Sequence, residues 1–235
     1  MAVITISRQF GSGGDEIARQ VCQALEYHLF DKRLVFRAAI DAGMSTMDVL
    51  DYSEDSHEVQ SFFERLFRRN APLVTSRFWK EDIHGVRVQE EIVMTEDQVL
   101  ALVQKAVQAA YENGNMVIVG RAGQVLLKEM PGVFHVRVEA PMEDRIQRVK
   151  QWLKQEKGMA TDSIETRRAA QDLIRARDEA SADYLSRHYE VNWADPLLYH
   201  LVINTGRIEI EQAAKLVVGA LEMVCPEPAV QPATS

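Results

Sequence analysis

An α/β protein, built on a doubly wound parallel sheet with helices on both faces, is the fold class that this sequence predicts. Three observations carry it. Strand-like β-branched runs alternate with amphipathic helical runs along the chain. The segment 116–120, Met-Val-Ile-Val-Gly, is apolar throughout, as suits a strand covered on both faces. The third is the opening. Val3-Ile4-Thr5-Ile6 forms a short strand that passes through Ser7-Arg8-Gln9-Phe10-Gly11-Ser12-Gly13-Gly14 straight into an amphipathic run begun by Asp15-Glu16-Ile17-Ala18.

The elements follow in order. The first helix spans Gly14–Leu25, because Ile17, Val21 and Leu25, with Ala18 and Cys22, make one apolar stripe. Ser12 followed three residues later by Asp15 has the form of a capping box. His28-Leu29-Phe30 reads as a short second strand ended by Asp31-Lys32, and 34–42 as a helix. The stretch 45–95 is less regular and rich in charge, with an apolar cluster at Phe62, Phe63, Leu66 and Phe67. It is expected to be an insert of short helices and loops. Thr95 caps a helix running to around Tyr111, with Gln98 three residues after the cap and Val99, Leu102, Val103, Ala106, Val107 and Ala110 facing inward. Glu112-Asn113-Gly114-Asn115 is the turn before the strand 116–120. Another strand covers 133–138, and Ala140-Pro141 opens the next helix with proline at its first position. Residues 163–187 form a long, highly charged helical stretch. Leu201–Asn204 is the last strand and Ile210–Val224 the last helix, followed by a Pro- and Ala-rich tail, 225–235, expected to be disordered. The organisation is one domain over 1–224. Its core segments are 1–44, 96–160 and 188–224, around the helical insert and a lid-like region at 161–187.

Hydrophobic content of 46% with 26% charged residues is ordinary for a globular chain, and 235 residues suffice for one large α/β domain. The net charge of −8 argues against a nucleic-acid surface, so any anion site has to come from locally clustered arginines. Two cysteines, Cys22 and Cys225, make no disulfide framework and fit a reducing, cytoplasmic compartment. No apolar run approaches the length of a membrane span, and the N-terminus reads as a strand rather than a signal peptide. The six histidines show no metal-ligand spacing, and CxxC, HExxH and GxSxG patterns are missing.

Ligands of such sheets sit beyond the carboxyl ends of the strands. Three segments fall there: the glycine run, Asp31-Lys32, and Gly120-Arg121-Ala122-Gly123. The glycine run has the layout of a phosphate-binding loop, in which N–H groups at a helix N-terminus cradle an anion and glycines allow the close approach. It departs from the pattern G-x-x-x-x-G-K-[ST], since Gly14 and Asp15 stand where Lys and Ser/Thr are wanted. Arg8 is the nearest cation to replace the missing ammonium, because guanidinium pairs phosphate oxygens bidentately. Asp15 either binds Mg²⁺, directly or through water, or simply favours the helix N-terminus as an anion. Arg37 and Arg121 both follow strands at the ligand edge, where a phosphorylated acceptor needs positive charge. Arg121 lies between Gly120 and Gly123, immediately after a buried strand. Arg167, Arg168, Arg175, Arg177 and Arg187 are mixed with Asp172, Asp178, Glu179 and Asp183. Mixed charge of this kind suits a solvated, ion-paired face. It equally suits a mobile lid whose arginines neutralise a moving phosphoryl group and exclude water.

Taken together, these segments resemble the cytidylate kinase-like family, a branch of the P-loop nucleoside monophosphate kinases. ITISRQFGSGGDEIA is similar to the strand-loop-helix of that branch, where SR-x-(F/Y)-GSGG replaces the lysine-bearing loop. HLFDKRL resembles its Y-D-K-E-L segment. Residues 31–38 are similar to D-T-G-x-x-Y-R-A of ordinary cytidylate kinases, whose arginine holds the acceptor phosphate, which implies that role for Arg37, with Asp31 beside it. Gly120-Arg121-Ala122-Gly123 resembles G-R-D-x-G, whose arginine binds the same phosphate; Ala122 stands in place of the aspartate. Arg177-Asp178 matches the start of the lid motif R-D-x-x-D-x-x-R, which Ser181 and Tyr184 leave incomplete. Residues 195–205 resemble the closing Y-D-(L/V)-x-(I/V)-N-T strand.

Over residues 3–220 the resemblance implies a P-loop NTPase-type sheet of about five strands, with ATP, Mg²⁺ and a nucleoside monophosphate, foremost CMP or dCMP. In that scheme Gly11, Ser12, Gly13, Gly14 and Asp15 bind the donor, with Asp15 also the candidate Mg²⁺ ligand. Arg8, Arg177 and Arg175 act on the transferring group. Arg37, Arg121 and Asp31 bind the acceptor. The missing lysine and half-kept lid motif also fit a nucleotide-binding sensor without turnover, and a kinase for another small acceptor is the third reading.

Overall fold

The computed structural model describes residues 2–30, 73–81, 87–160 and 163–225, with the side chains of 73–96 and 99 left aside. Asp31, Arg37, the helix expected over 34–42, the aromatic cluster at Phe62, Phe63, Leu66 and Phe67, and the tail 226–235 lie outside the described residues. The chain divides into two compact units, one of Met1–Leu29, Asn113–Asp178 and Ala194–Ser235, the other of Phe30–Glu112 and Glu179–Trp193.

The first unit is a five-stranded sheet. Its strands are β1 (Val3–Arg8), β2 (His28–Leu29), β5 (Met116–Val119), β6 (Val133–Glu139) and β7 (Leu201–Asn204), in the order β2-β5-β1-β6-β7. Every pairing is parallel, with β1 central: Ile4 sits in register with Val117 on one side and Phe134 on the other. Parallel strands need crossovers, and the helices supply them. α1 (Gly14–Leu25) follows β1 and α6 (Ile210–Val224) follows β7. Their buried stripes, Ile17, Ala18 and Val21 against Ala213, Ala214, Val217 and Leu221, pack with Ile4, Ile6, Phe134 and Val136 of the sheet into one core. The apolar spacing of the first and last helices is thus spent on one face of the sheet, as the sequence predicts.

The opposite face is different. The pleat turns Thr5 and Ser7 away from the Ile4–Ile6 side, and the short α3 (Gly123–Leu126) lies over it, so close that a Cβ on Gly123 would sit 3.1 Å from Thr5 Cγ2. Helices therefore cover both faces. The strand β5, apolar in sequence, is buried at Met116, Val117 and Ile118. Two further helices form a second small core. α4 (Met142–Lys157) brings Ile146, Val149 and Leu153 against Ala170 and Ile174 of α5 (Ile164–Tyr189). Proline opens α4 as expected, although Pro141 is its N-cap, one position before the first helical residue.

In the second unit, α2 (Glu96–Asn113) buries Leu102, Val103, Ala106, Val107 and Ala110, the predicted inward face. The expectation of short helices and loops over 45–95 fails where it can be read. β3 (Leu73–Glu81) and β4 (Arg87–Thr95) form a two-stranded antiparallel ribbon, Leu73 opposite Thr95 and Glu81 opposite Arg87. The physical reason lies in the strands' composition. Val, Thr, Phe, Trp and Ile favour extended backbone, and the register sets Arg77 opposite Glu91, an opposite-charge pairing that suits antiparallel strands. No described helix is long and apolar enough to cross a membrane.

Candidate active site

The loop leaving β1 leads to a helix on one face, whereas the loop leaving its neighbour β5 leads to α3 on the other. Adjacent strands whose chains part in this way open a crevice at their carboxyl ends, where α/β sheets bind ligands. The glycine run and Gly120–Ala122 are the two rims of that crevice.

Gly11 and Gly13 adopt φ values of +79° and +85°, the left-handed region that side chains disfavour. Gly13 is the N-cap of α1. The first intrahelical bond runs from Ile17 N–H to Gly13 C=O, 3.0 Å, so the N–H groups of Gly14, Asp15 and Glu16 come before the ladder begins. The predicted capping box does not form: α1 has no side-chain cap, and the fully buried Ser12 Oγ has no hydrogen-bond partner. Asp15 turns instead to Arg8, whose Nε lies 3.2 Å from its carboxylate. A helix start left uncapped by its own side chains, with a buried hydroxyl to spare, is suited to an anion.

Gly14 sits where other phosphate loops carry lysine. A Cβ built on it would lie 2.5 Å from Arg8 Cβ and 2.8 Å from Arg8 Cγ. The stem of Arg8 thus runs through the space that a side chain at position 14 would claim. The Arg8 guanidinium reaches across to β5, where Nη1 is 3.1 Å from a Cβ placed on Gly120. Gly120 is tied to β1 by its N–H, 2.9 Å from Ile6 C=O.

The second rim is strained. Gly120, Arg121 and Ala122 all hold left-handed φ values, +71°, +56° and +54°, closed by a 3.0 Å bond from Gly123 N–H to Gly120 C=O. Non-glycine residues visit this region singly at most, at roughly 1–2 kcal/mol each. Two in succession mark a turn imposed by its surroundings, and it carries the predicted Arg121, which is partly buried.

The loop is also held from behind, by Arg148, Arg145 and Thr205, to which the sequence reading gives no site role, and by Asp178, which it places in the lid motif. Arg148 of α4 donates to Gly11 C=O at 3.3 Å, Thr205 C=O at 2.9 Å and Thr205 Oγ1 at 3.1 Å. Thr205 Oγ1 in turn donates to Ser12 C=O at 2.6 Å. Arg145, nearly buried, pairs with Asp178, and Asp178 Oδ1 accepts the Phe10 N–H at 2.8 Å. Arg148 and Thr205 could have been suspected only from the Asn204-Thr205 end of the closing strand; nothing local marks an arginine in a charged helix as a backbone clamp.

The arginine-rich helix splits in its roles. Arg177 places its guanidinium 5.3 Å over the Phe10 ring, while Arg175 is exposed and takes no part in this cluster. Arg167 pairs with Glu143 at 2.6 Å, holding that carboxyl below its usual range, and Arg187 pairs with Asp183 at 2.8 Å. These two pairs are the solvated, ion-paired face that mixed charge equally suits. The structure therefore brings Arg8, Gly11, Ser12, Gly13, Gly14, Asp15 and Arg177 to one loop, with Arg121 in the turn that follows the neighbouring strand β5. Asp31 and Arg37 fall outside the described residues.

On the far side of the sheet the strand ends carry a buried polar row. Arg137, 2% exposed, pairs with Glu139 at 2.6 Å and meets Tyr199, whose hydroxyl donates to Ser7 Oγ at 3.2 Å. Deeper in, Thr5 Oγ1 lies 2.7 Å from His135 Nδ1, and the His135 and His200 rings stack at 5.1 Å. Burial, and then His200, lower the His135 pKa from its ordinary 6.5 to about 4. None of these residues was legible as functional in the sequence.

Comparison with known proteins adds the lineage. No curated protein matches the chain. Among solved structures, an uncharacterized protein from Eubacterium ventriosum ATCC 27560 is similar at 16% identity and a TM-score of 0.58, over 94% of this chain and 99% of its own, a likeness of fold alone. Shikimate kinase from Acinetobacter baumannii, in complex with shikimate, is similar at 12% identity over 95% of this chain and 94% of its own, with a TM-score of 0.44. The model of the cytidylate kinase-like family matches residues 3–207, a span running from β1 through the glycine loop, the Gly120–Ala122 turn and α5 to the residues after β7. On that match the chain belongs to the cytidylate kinase-like family.

Proposed function

We propose that this protein transfers the γ-phosphoryl group of ATP to a nucleoside monophosphate, CMP or dCMP, giving the nucleoside diphosphate and ADP. The observation that carries the reading is the coincidence of Arg8 and Gly14. An arginine stem lies where the phosphate-loop lysine would run, next to a helix start whose N–H groups are uncapped. Family membership supports phosphoryl transfer as the reaction class.

In this scheme the glycine loop cradles the donor phosphates on its backbone, and Arg8 supplies the positive charge that lysine supplies elsewhere. Arg121 and Arg37 hold the acceptor phosphate, and Asp31 is the further acceptor-binding candidate. Arg177 closes on the transferring group, with the exposed Arg175 of the same helix as the second candidate. The bond from the γ-phosphorus to its bridging oxygen breaks, ADP keeps the electron pair, and a phosphate oxygen of the acceptor makes the new bond. Positioning and electrostatic neutralisation carry such a reaction, so no general base is assigned. Mg²⁺ neutralises the donor phosphates when bound. Asp15 is the loop carboxylate and is already paired with Arg8, a donor set that suits contact to the ion through its water shell.

The test is an ADP-release assay over all common nucleoside and deoxynucleoside monophosphates. Turnover highest with CMP or dCMP is the expected result. Turnover confined to another small acceptor would replace the substrate. Calorimetric binding of ATP with no turnover on any acceptor would overturn catalysis and leave a nucleotide-binding protein, the reading that the missing lysine and the incomplete lid motif also suit.

A further inference from the structure

We propose that Asp178 is a positioning residue that locks the glycine loop to the first half of α5, an inference that rests on the phosphoryl-transfer reading above for its kinetic consequence. The first half of α5 is anchored rather than free. Ser163 caps it, accepting the Thr166 N–H at 3.0 Å, and Thr166 Oγ1 donates to Ala160 C=O at 2.7 Å. Ala170 and Ile174 are fully buried against α4. Asp178 follows Ile174 by four residues, so it projects from the same helix face.

Its carboxylate does two things there. One oxygen accepts the Phe10 N–H at 2.8 Å, and the other pairs with Arg145, whose side chain is 6% exposed. Phe10 is therefore gripped on several sides. Its amide goes to Asp178, its ring lies under the Arg177 guanidinium at 5.3 Å, and the ring edge meets Trp152 at 6.4 Å. Phe10 is also the last residue before Gly11, where the backbone turns left-handed. Its peptide thus sets the direction in which the loop starts, and with it the aim of the loop's N–H groups. Within α5, the residues up to Asp178 belong to the unit that holds the loop and those from Glu179 to the other unit. The sequence reading makes all of 161–187 a lid; the contacts of Asp178 assign the first half of α5 to the loop's own support.

Removing Asp178 alone would strand the buried Arg145 charge, so the test uses two variants. Arg145→Met/Asp178→Asn removes the ion pair without leaving a charge behind and keeps an acceptor oxygen for Phe10. Arg145→Met/Asp178→Leu removes the acceptor as well and replaces the pair with apolar bulk. Amide hydrogen exchange is read first. The Phe10 amide is expected to exchange at least roughly tenfold faster in Arg145→Met/Asp178→Leu than in Arg145→Met/Asp178→Asn, with the β1 amides unchanged between them. In kinetics with ATP and CMP, Arg145→Met/Asp178→Leu is expected to show a KM for ATP roughly tenfold or more above that of Arg145→Met/Asp178→Asn, with the KM for CMP the same in both. A Phe10 amide equally protected in the two variants would overturn the proposal, as would equal rises in both KM values. Absence of turnover in the wild type would sink the proposed reaction instead, and the exchange measurement would still decide whether Asp178 holds the loop.

Discussion

Arg8 and Gly14 are a matched pair of residues: one side chain fills the space in which the other would have to grow. A lysine placed at position 14 alone has nowhere to go, because its Cβ would overlap the Arg8 stem, and Gly14→Lys is expected to lower the melting temperature. Arg8→Ala is expected to fold and to lose about 10²–10³-fold in kcat/KM, the cost of removing one preorganised charge from a developing phosphoryl centre. Arg8→Gly/Gly14→Lys, which also removes the Arg8 Cβ lying 2.5 Å from a Cβ at position 14, should melt above Gly14→Lys and regain roughly tenfold or more of the activity that Arg8→Ala loses. If the double variant is no more active than Arg8→Ala, Arg8 does not stand in for lysine. Sequence alone could nominate Arg8, since it was the nearest cation to the loop. It could not show that the two positions share one volume, because their overlap arises only when the strand end and the helix start are folded against each other.

At the scale of elements, the turn Gly120-Arg121-Ala122 is where conformation and site meet. Gly120 tolerates φ of +71° without cost, but Arg121 and Ala122 do not. Ala122→Gly relieves part of that strain and is expected to raise unfolding free energy by up to about 1 kcal/mol. The looser turn should lower turnover at the same time, because Arg121 is then held less firmly. Chemical denaturation and the coupled assay on one variant check both; a variant more stable and equally active would show that the strain has no part in the site. The strands and helices flanking this turn were readable from periodicity alone: the β1 and β5 runs, the α1 stripe and the inward face of α2 all appear as predicted. Two local readings went astray for one reason, which is that short sequence patterns do not see their partners. Ser12 and Asp15 had the spacing of a capping box, yet Arg8 captured Asp15 and left the Ser12 hydroxyl buried without a bond. The stretch 73–95 looked irregular because a third of each strand is charged, and the pairing that makes a ribbon of them lies across the two strands.

The whole molecule sets the conditions under which the site exists. His135 lies in the middle of the sheet, 3% exposed, with its pKa lowered to about 4, chiefly by burial. The unfolded chain holds that histidine near 6.5, so between pH 6.5 and 4 the unfolded state binds the extra proton and gains on the folded one. Stability from this group is complete above pH 6.5 and falls as the pH drops toward 4, by about 3 kcal/mol across the full window. Urea denaturation of the wild type and of His135→Asn at a series of pH values checks this. The wild type should lose more stability than the variant over that window, and parallel profiles would remove His135 from the acid sensitivity.

What the sequence determined by itself is whatever depends on neighbours along the chain: the alternation of strands and helices, the glycine loop at the first strand's end, and the motifs that link the chain to its family. Apolar periodicity and glycine spacing are local properties, so they survive without the fold. What only the tertiary structure decided depends on residues far apart in the chain. Arg148 and Thr205 hold the loop's carbonyls, Asp178 holds Phe10 from 168 residues away, and a buried polar row lies behind the sheet. A charged residue in a helix carries no local mark of its partner. Its partner is chosen by which helix the sheet order brings beside it, and the desolvation of a buried charge makes that pairing obligatory.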